Sequence, residues 1–167
     1  MVQKLLAISF IIDIWIITNN KLSEIIFFPT HDTTIYQICF NHNGEILASA
    51  CDDCSIRLWN LNGKQIAVFR GHSRAVTSIS FSPDGQILAS GSDDGNIKLW
   101  SLDGNEIRTL QSHIQEVTSV SFSPDGQTLA SGSNDKTVIL WNLNLDNLID
   151  RADEWLYDYL KVNQNVS

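Results

Sequence analysis

The sequence predicts an all-β fold made of repeated four-stranded units, followed by one helix near the C-terminal end. The first observation is that three histidines and three tryptophans each recur every 41 residues: His31, His72, His113 and Trp59, Trp100, Trp141. The second is a sequence segment that recurs with them: ILASACDDCSIRLWN at 46–60, ILASGSDDGNIKLWS at 87–101 and TLASGSNDKTVILWN at 128–142. A fixed period of this length is the signature of a repeat architecture.

Each unit is predicted to contain four short strands separated by turns. In the second unit the strands are expected at residues 75–81, 87–92, 96–100 and 106–110. The turn between the first two strands has the sequence Ser82-Pro83-Asp84-Gly85, and its counterparts are Asn43-Gly44 and Asp125-Gly126. Glycine adopts a positive φ at little cost, so a tight turn is expected at each of these positions.

Residues 1–30 are predicted to form a degenerate partial unit that lacks its first strand. Residues 5–9 are similar to the second strand of a regular unit, residues 13–15 to the third and residues 22–28 to the fourth. The spacing from Trp15 to the next histidine is longer than in the regular units, so we infer an insertion near Asn19-Asn20.

The apolar run at residues 5–17 has an alternative interpretation as a signal segment or a membrane anchor. A membrane-spanning helix needs about 20 apolar residues, and this run is shorter and contains Asp13. No cleavage site of small residues follows it. We therefore favour the degenerate unit and expect no membrane association.

Residues 145–167 are predicted to form an amphipathic helix and a tail. Asp146 is a plausible N-cap, and the apolar residues that follow it are spaced at steps of three and four: Leu148, Ile149, Ala152, Trp155, Leu156, Tyr159 and Leu160. An apolar helical stripe is usually buried, so packing on the last unit is favoured over docking to a partner.

The period, and the recurring histidine and tryptophan, resemble the WD-repeat β-propeller family over residues 31–143. The resemblance implies a partial β-propeller with three full blades at 31–71, 72–112 and 113–144. The sequence departs from the Gly-His and Trp-Asp signature, since only Gly71 precedes a histidine and the tryptophans are followed by Asn60, Ser101 and Asn142. The tail is similar to that of large bacterial multidomain WD-repeat proteins, which implies that this chain is a C-terminal portion of one.

In the family, a histidine, a serine, an aspartate and a tryptophan form one hydrogen-bonded chain in each repeat. The matching sets here are His31, Ser49, Asp53, Trp59; His72, Ser90, Asp94, Trp100; and His113, Ser131, Asp135, Trp141. A Ser-His-Asp catalytic triad is the alternative, but a triad is needed once, whereas this set occurs three times without an oxyanion loop. The sequence therefore predicts a structural role and no catalytic residue.

Composition and cysteine spacing indicate which partners, compartments and cofactors to expect. The net charge of −8 argues against nucleic acid as a partner, because phosphate binding requires clustered Lys and Arg. Three cysteines are an odd and sparse set, which favours the reducing cytoplasm. Cys51 and Cys54 form a CxxC motif, but it lies on a turn between strands and no second pair completes a zinc site. We expect no metal and no cofactor.

The predicted function is non-catalytic binding of a protein or peptide. In the family, contacts often come from loops on the histidine side, and the corresponding residues are Asp52, Asp93, Asn134 and, less securely placed, Thr33, Arg74 and Gln115. Two acidic positions suggest a basic partner. Another hypothesis is a hydrolase or redox enzyme. It rests only on the Ser-His-Asp and CxxC motifs, which are already interpreted structurally.

The number of units bears on how the chain functions. Propellers close with about four to eight blades. Seven units of 41 residues would require 287 residues, against 167 present, so an open arc is expected. The arc is expected to close by self-assembly or by pairing with another WD-repeat chain. The alternative is a truncated remnant of a multidomain signalling protein.

Overall fold

The computed structural model describes residues 33–143 in full and the backbone of residues 12–18 and 21–28. These residues form only β-strands. The strands are β1 Ile12–Thr18, β2 Lys21–Phe28, β3 Ile35–Phe40, β4 Ile46–Cys51, β5 Ser55–Asn60, β6 Gln65–Arg70, β7 Val76–Phe81, β8 Ile87–Ser92, β9 Asn96–Ser101, β10 Glu106–Gln111, β11 Val117–Phe122, β12 Thr128–Ser133 and β13 Val138–Asn142.

The strands group into antiparallel sheets in which sequence neighbours pair. Blade 1 contains β3–β6, blade 2 contains β7–β10, and blade 3 contains β11–β13. β1 and β2 form a separate antiparallel hairpin. The all-β repeated architecture is therefore confirmed for these residues. The predicted strand at 5–9 and the predicted helix at 145–167 lie outside the described residues.

The turn between the first and second strand of each blade follows from its residues. The glycines have positive φ, at 73° for Gly44, 70° for Gly85 and 72° for Gly126. In blade 2, Gly85 N–H donates to Ser82 O at 2.8 Å, and Asp84 accepts hydrogen bonds from Ser82 Oγ and Gln86 N. A short acidic side chain and a glycine thus close the turn locally.

Adjacent blades bury their apolar faces against each other. β7 presents Val76 and Ile79 to blade 1, where Ile56 and Leu58 belong to the same buried cluster. β11 presents Val117 and Val120 in the same way to Ile97 and Leu99 of blade 2. Burying an aliphatic side chain contributes about 1.5–3 kcal/mol, so blade contacts are a main source of stability.

A ladder of side-chain acceptors also joins the blades. The first strand of each blade is a sheet edge, so its outward N–H groups need acceptors from elsewhere. Ile79 N–H donates to Gln37 Oε1 at 2.8 Å, and Val120 N–H donates to Ser78 Oγ at 3.0 Å. Phe122 N–H donates to Ser80 Oγ at 3.3 Å. Each blade therefore caps the edge of the next one.

Within the described ranges, the structure contains no helix that is long and apolar enough to cross a membrane.

Candidate functional site

A series of hydrogen-bonded polar side chains, which we call the polar chain, crosses blade 2 from its loop end to its third strand. Trp100 Nε1–H donates to Ser90 Oγ at 2.8 Å, and Ser90 Oγ lies 2.7 Å from His72 Nε2. His72 Nδ1 lies 2.9 Å from Asp94 Oδ2. Asp94 also accepts the backbone N–H groups of Ser73 and Asn96, so it ties the loop before β7 to the turn before β9.

The directions of the pKa shifts indicate which of these side chains are protonated. Burial lowers the pKa of His72 by more than the adjacent Asp94 raises it. Burial raises the pKa of Asp94, but the N–H groups of Ser73 and Asn96 and the His72 ring lower it further, so the net shift is downward. A neutral ring donating from Nδ1 to an ionised Asp94, and accepting the Ser90 hydroxyl proton at Nε2, satisfies every polar group in the chain.

Blade 3 contains the same arrangement. Trp141 Nε1–H donates to Ser131 Oγ at 2.9 Å, and His113 lies 2.8 Å from both Ser131 Oγ and Asp135 Oδ2. Asp135 has a lowered pKa because Thr137 Oγ1 donates to it, with His113 and two backbone N–H groups adding to the effect.

In blade 1 the structure describes part of the set. Trp59 Nε1–H donates to Ser49 Oγ at 3.0 Å, whereas the predicted His31 lies outside the described residues. Asp53 accepts a 2.6 Å hydrogen bond from Arg57 Nη2 and a 2.5 Å hydrogen bond from Ser55 Oγ. Sequence reasoning missed this ion pair, although an arginine four residues after the aspartate was a visible signal.

The serines of the polar chains are too deeply buried to contact a substrate. Ser49 and Ser90 are 0% exposed and Ser131 is 2% exposed. A catalytic serine must approach the atom it attacks to within about 3–3.5 Å. The hydroxyl of Ser90 is instead enclosed by His72 and Trp100.

The CxxC cysteines lack the properties of a reactive pair. Burial raises the pKa of Cys51 to about 11, and the pKa of Cys54 is also raised, first by burial and then by the nearby aspartates. A redox or metal-binding thiol needs a lowered pKa. No disulfide joins the three cysteines, and no group of three potential metal ligands occurs among the described residues.

A cleft opens between blades 2 and 3 on the histidine side, and we call it the loop cleft. Its volume is about 410 Å³. It is lined by Ser73, Arg74, Asp93, Asp94, Gly95, His113, Ile114, Gln115 and Glu116. Arg74 reaches across it, donating to Asp93 O at 3.2 Å and lying 3.9 Å from Glu116 Oε1. The lining residues include three carboxylates, those of Asp93, Asp94 and Glu116, and one guanidinium, so the cleft carries net negative formal charge.

The structure gathers some of the predicted contact residues here and separates others. Arg74, Asp93 and Gln115 line the loop cleft. Asn134 lies beside it, with Nδ2 3.5 Å from Glu116 Oε2. Asp52 lies one blade away and accepts a hydrogen bond from Tyr36 Oη. The hydroxyl of Thr33 is buried and has no hydrogen-bond partner among the described residues.

Sequence reasoning missed Ile114 and Glu116 among the residues of the loop cleft. Ile114 is 87% exposed at its rim, and Glu116 joins the loops of the two blades. Both follow His113 in the segment that leads into β11. A large apolar residue in an otherwise polar loop was the available signal for Ile114.

Three consecutive stretches of the sequence, at residues 22–60, 63–101 and 104–142, match the family model for "WD domain, G-beta repeat". They cover more than half of the 167 residues. The chain belongs to the WD40 repeat family. Each matched WD40 stretch begins near the fourth strand of one blade and ends on the third strand of the next, so a sequence repeat straddles two blades.

Solved WD40 structures resemble this chain over most of its described length. The "Crystal structure of RRP9 WD40 repeats" is 28% identical with a TM-score of 0.67, and covers 70% of this chain. The "Structure of U3-55K" is likewise 28% identical with a TM-score of 0.67, and also covers 70%. The chain spans only 37% and 38% of the length of these two proteins. No curated protein matches the sequence significantly.

Membership of the WD40 repeat family indicates a general type of function. WD40 domains are typically scaffolds for protein interaction and are typically not enzymes. Fold alone does not identify a partner, so a specific function must be argued from the surface of this chain.

Proposed function

We propose that this WD40 chain is a non-catalytic protein-binding module that uses the loop cleft to hold a basic segment of a protein or peptide partner. The observation that carries this proposal is the combination of net negative charge with an exposed apolar rim. Asp93 and Glu116 supply carboxylates, and Ile114 supplies an apolar contact beside them.

The loop cleft suits binding better than chemistry. Several side chains that line it contact neighbouring residues: Asp94 contacts the His72 ring, His113 contacts Asp135, and Glu116 contacts Arg74 and Asn134. Rigid positioning of charges lowers the ordering cost of binding. A lysine or arginine from a partner would compete with Arg74 for the carboxylates, and complementary charge would also accelerate the encounter.

The experiment is selection of binding peptides from a random peptide library on the immobilised chain, followed by affinity measurement with the selected peptides. We expect peptides that carry a basic residue next to an apolar one. Substituting Asp93→Asn with Glu116→Gln should weaken binding by tenfold or more, since hydrogen bonds to charged groups are worth about 1.5–3 kcal/mol each. Ile114→Ser should weaken it separately.

The matched control removes the same charge from the opposite edge of the blades. Asp84 and Asp103 lie in the turns at that edge, so Asp84→Asn with Asp103→Asn should leave peptide affinity unchanged. Equal weakening by both pairs of substitutions would show that total charge, and not the loop cleft, attracts the peptide. Peptides without basic residues, bound equally by all variants, would refute the proposal.

We also propose that the module works as part of a larger propeller in the cytoplasm, as a C-terminal portion of a multidomain bacterial protein. Its coverage of little more than a third of the two solved WD40 structures supports a larger ring. The odd and sparse set of three cysteines supports a reducing compartment. The alternative is a remnant with no independent function, and this predicts that no peptide is selected.

A further inference from the structure

We propose that the end of blade 3 binds the blade 1 end of a second copy of this chain, and that this contact repeats the one between blades 2 and 3. The surface concerned, called the open face, consists of Val138, Leu140, Ser119, Ser121 and Gly132. It shares no residue with the loop cleft, so this association does not depend on the peptide binding proposed above, and a second copy would supply further blades of the larger propeller.

Among the described residues, no blade covers the apolar part of the open face. Val138 and Leu140 of β13 are 74% and 69% exposed. One period earlier, Ile97 and Leu99 of β9 are 0% and 5% exposed, because blade 3 packs on them. Two large aliphatic side chains thus remain in water at positions that the rest of the molecule buries.

The polar part of the open face shows what kind of partner fits. Ser119 and Ser121 stand one period after Ser78 and Ser80, which accept the N–H groups of Val120 and Phe122 from the next blade. Both are exposed. Their spacing matches alternate N–H groups along the edge of a β-strand. A helix satisfies its own interior N–H groups, so a strand edge is the better complement.

A glycine marks where the partner strand would pass. A Cβ added to Gly91 would lie 2.6 Å from Val117 Cγ1, so the close packing of blade 3 on blade 2 requires glycine there. Gly132 stands one period later and has room, since the nearest neighbour of an added Cβ is Thr118 Oγ1 of the same blade at 3.9 Å. The open face therefore has the same recess at Gly132 that blade 2 has at Gly91, where blade 3 packs.

The blade 1 end carries the matching residues. Ile35, Ile38 and Phe40 of β3 occupy the positions of Val117, Val120 and Phe122. Their burial is incomplete, whereas Val117 and Val120 are buried against blade 2. Placing this strand on the open face would set Ile35 over Gly132 and the N–H groups of Ile38 and Phe40 at Ser119 and Ser121. The second copy therefore supplies both the apolar and the hydrogen-bonding complement.

The first test is the mass of the purified chain as a function of concentration, by light scattering. We expect mass to rise above the 18.7 kDa of one chain as concentration increases. Val138→Asp with Leu140→Asp should raise the dissociation constant on the order of a hundredfold or more, because the carboxylates would be buried without partners. Both residues are exposed in the single chain, so these substitutions should not impair folding.

The matched control uses Ile66→Asp with Ile107→Asp. These isoleucines are 47% and 53% exposed on the fourth strands of blades 1 and 2, away from the open face. They should not change the association. If both pairs of substitutions prevent it equally, the chains associate through general stickiness. A chain that stays monomeric at every concentration also overturns the proposal.

The second test fixes the register by mixing two single variants, Gly132→Cys and Ile35→Cys, under mild oxidation. The Cβ positions at Gly91 and Val117 are 3.2 Å apart, close to the Cβ spacing of a disulfide, so the equivalent pair should cross-link between chains. Peptide mass mapping should find the 132–35 linkage only in the mixture. Each variant mixed with the unsubstituted chain controls for Cys39, Cys51 and Cys54. Association without the 132–35 linkage would mean that another surface is used.

Discussion

Blades 2 and 3 share nearly the same sequence and the same polar chain, yet they differ in how much apolar surface they bury. The His72 and His113 side chains are 1% and 0% exposed, and their hydrogen-bond distances agree to within about 0.1 Å. In contrast, Trp100 is 2% exposed while Trp141 is half-buried. Trp100 pairs with Glu106 of the fourth strand β10, which has no described counterpart in blade 3. The polar chain is complete inside each blade, whereas apolar burial also depends on neighbouring strands and blades.

This difference separates two sources of stability. Intrinsic contacts of a repeat and contacts with its neighbours add approximately independently in repeat proteins. Equivalent substitutions in blades 2 and 3 should therefore have equal effects if they remove the polar chain, and unequal effects if they remove apolar packing.

The largest difference is expected at the tryptophans. Trp100→Ala should lower the free energy of unfolding by about 3–5 kcal/mol, because the ring is buried and packs on Phe69 at a centroid distance of 5.7 Å. Trp141→Ala should cost clearly less. Urea denaturation of both variants measures this. Equal costs would show that the difference in exposure between the two rings does not affect stability.

A smaller and more even effect is expected at the histidines. His72→Ala should cost about 1–3 kcal/mol, because Asp94 and Ser90 each lose a buried partner. His113→Ala should lower stability by a similar amount, although blade 3 has no described neighbour on its far side. Thermal unfolding compares the two. A loss at His72 alone would show that the polar chain also depends on the adjacent blade.

The pH dependence of stability sharpens this comparison. The pKa of His72 is lowered from its ordinary value of 6.5, so the unfolded chain binds a proton at a higher pH than the folded chain does. Stability should therefore fall as pH drops below 6.5, and this fall should be reduced in His72→Ala. Asp94 has a lowered pKa too, and its contribution should be lost only as pH falls below 3.8. Denaturation midpoints across this pH range test both statements.

The smallest effect is expected at the turn between the second and third strands. Gly95 has a φ of 80°, and Lys136 holds the equivalent place in blade 3 at 70°. Lys136→Gly should raise stability by about 0.5–1 kcal/mol, since a positive φ is unfavourable for a side chain. Gly95→Lys should lower it by more, because an added Cβ would lie 3.3 Å from Gln115 O. Equal and opposite changes would argue against that crowding.

The strands could be predicted well from the sequence because turn-forming residues, such as Asp84-Gly85, lie between them. The second strand of blade 2 is Ile87–Ser92, as expected, and the first begins at Val76, one residue later than expected. The members of the polar sets could be chosen from the family pattern, and in blades 2 and 3 the chosen residues lie within hydrogen-bonding distance of one another.

The features that the sequence could not predict depend on neighbours. Ile97 and Val138 stand in the same pattern, and only the three-dimensional structure shows that one is buried and the other exposed. The loop cleft likewise forms between two blades, so no single repeat specifies it. The acceptor ladder of Ser78 and Ser80 was visible as a repeated serine pattern, but its meaning required the position of the next blade.

The near identity of β7 and β11 also affects how the chain reaches its structure. The two strands, VTSISF and VTSVSF, differ by one methylene group, and they pair in the same register with β8 and β12. During refolding, β7 can therefore pair with β12, or β11 with β8, at almost no loss of contact energy. Such exchanged pairings are kinetic traps, within one molecule or between two. Slow refolding phases that lengthen with protein concentration are their expected signature.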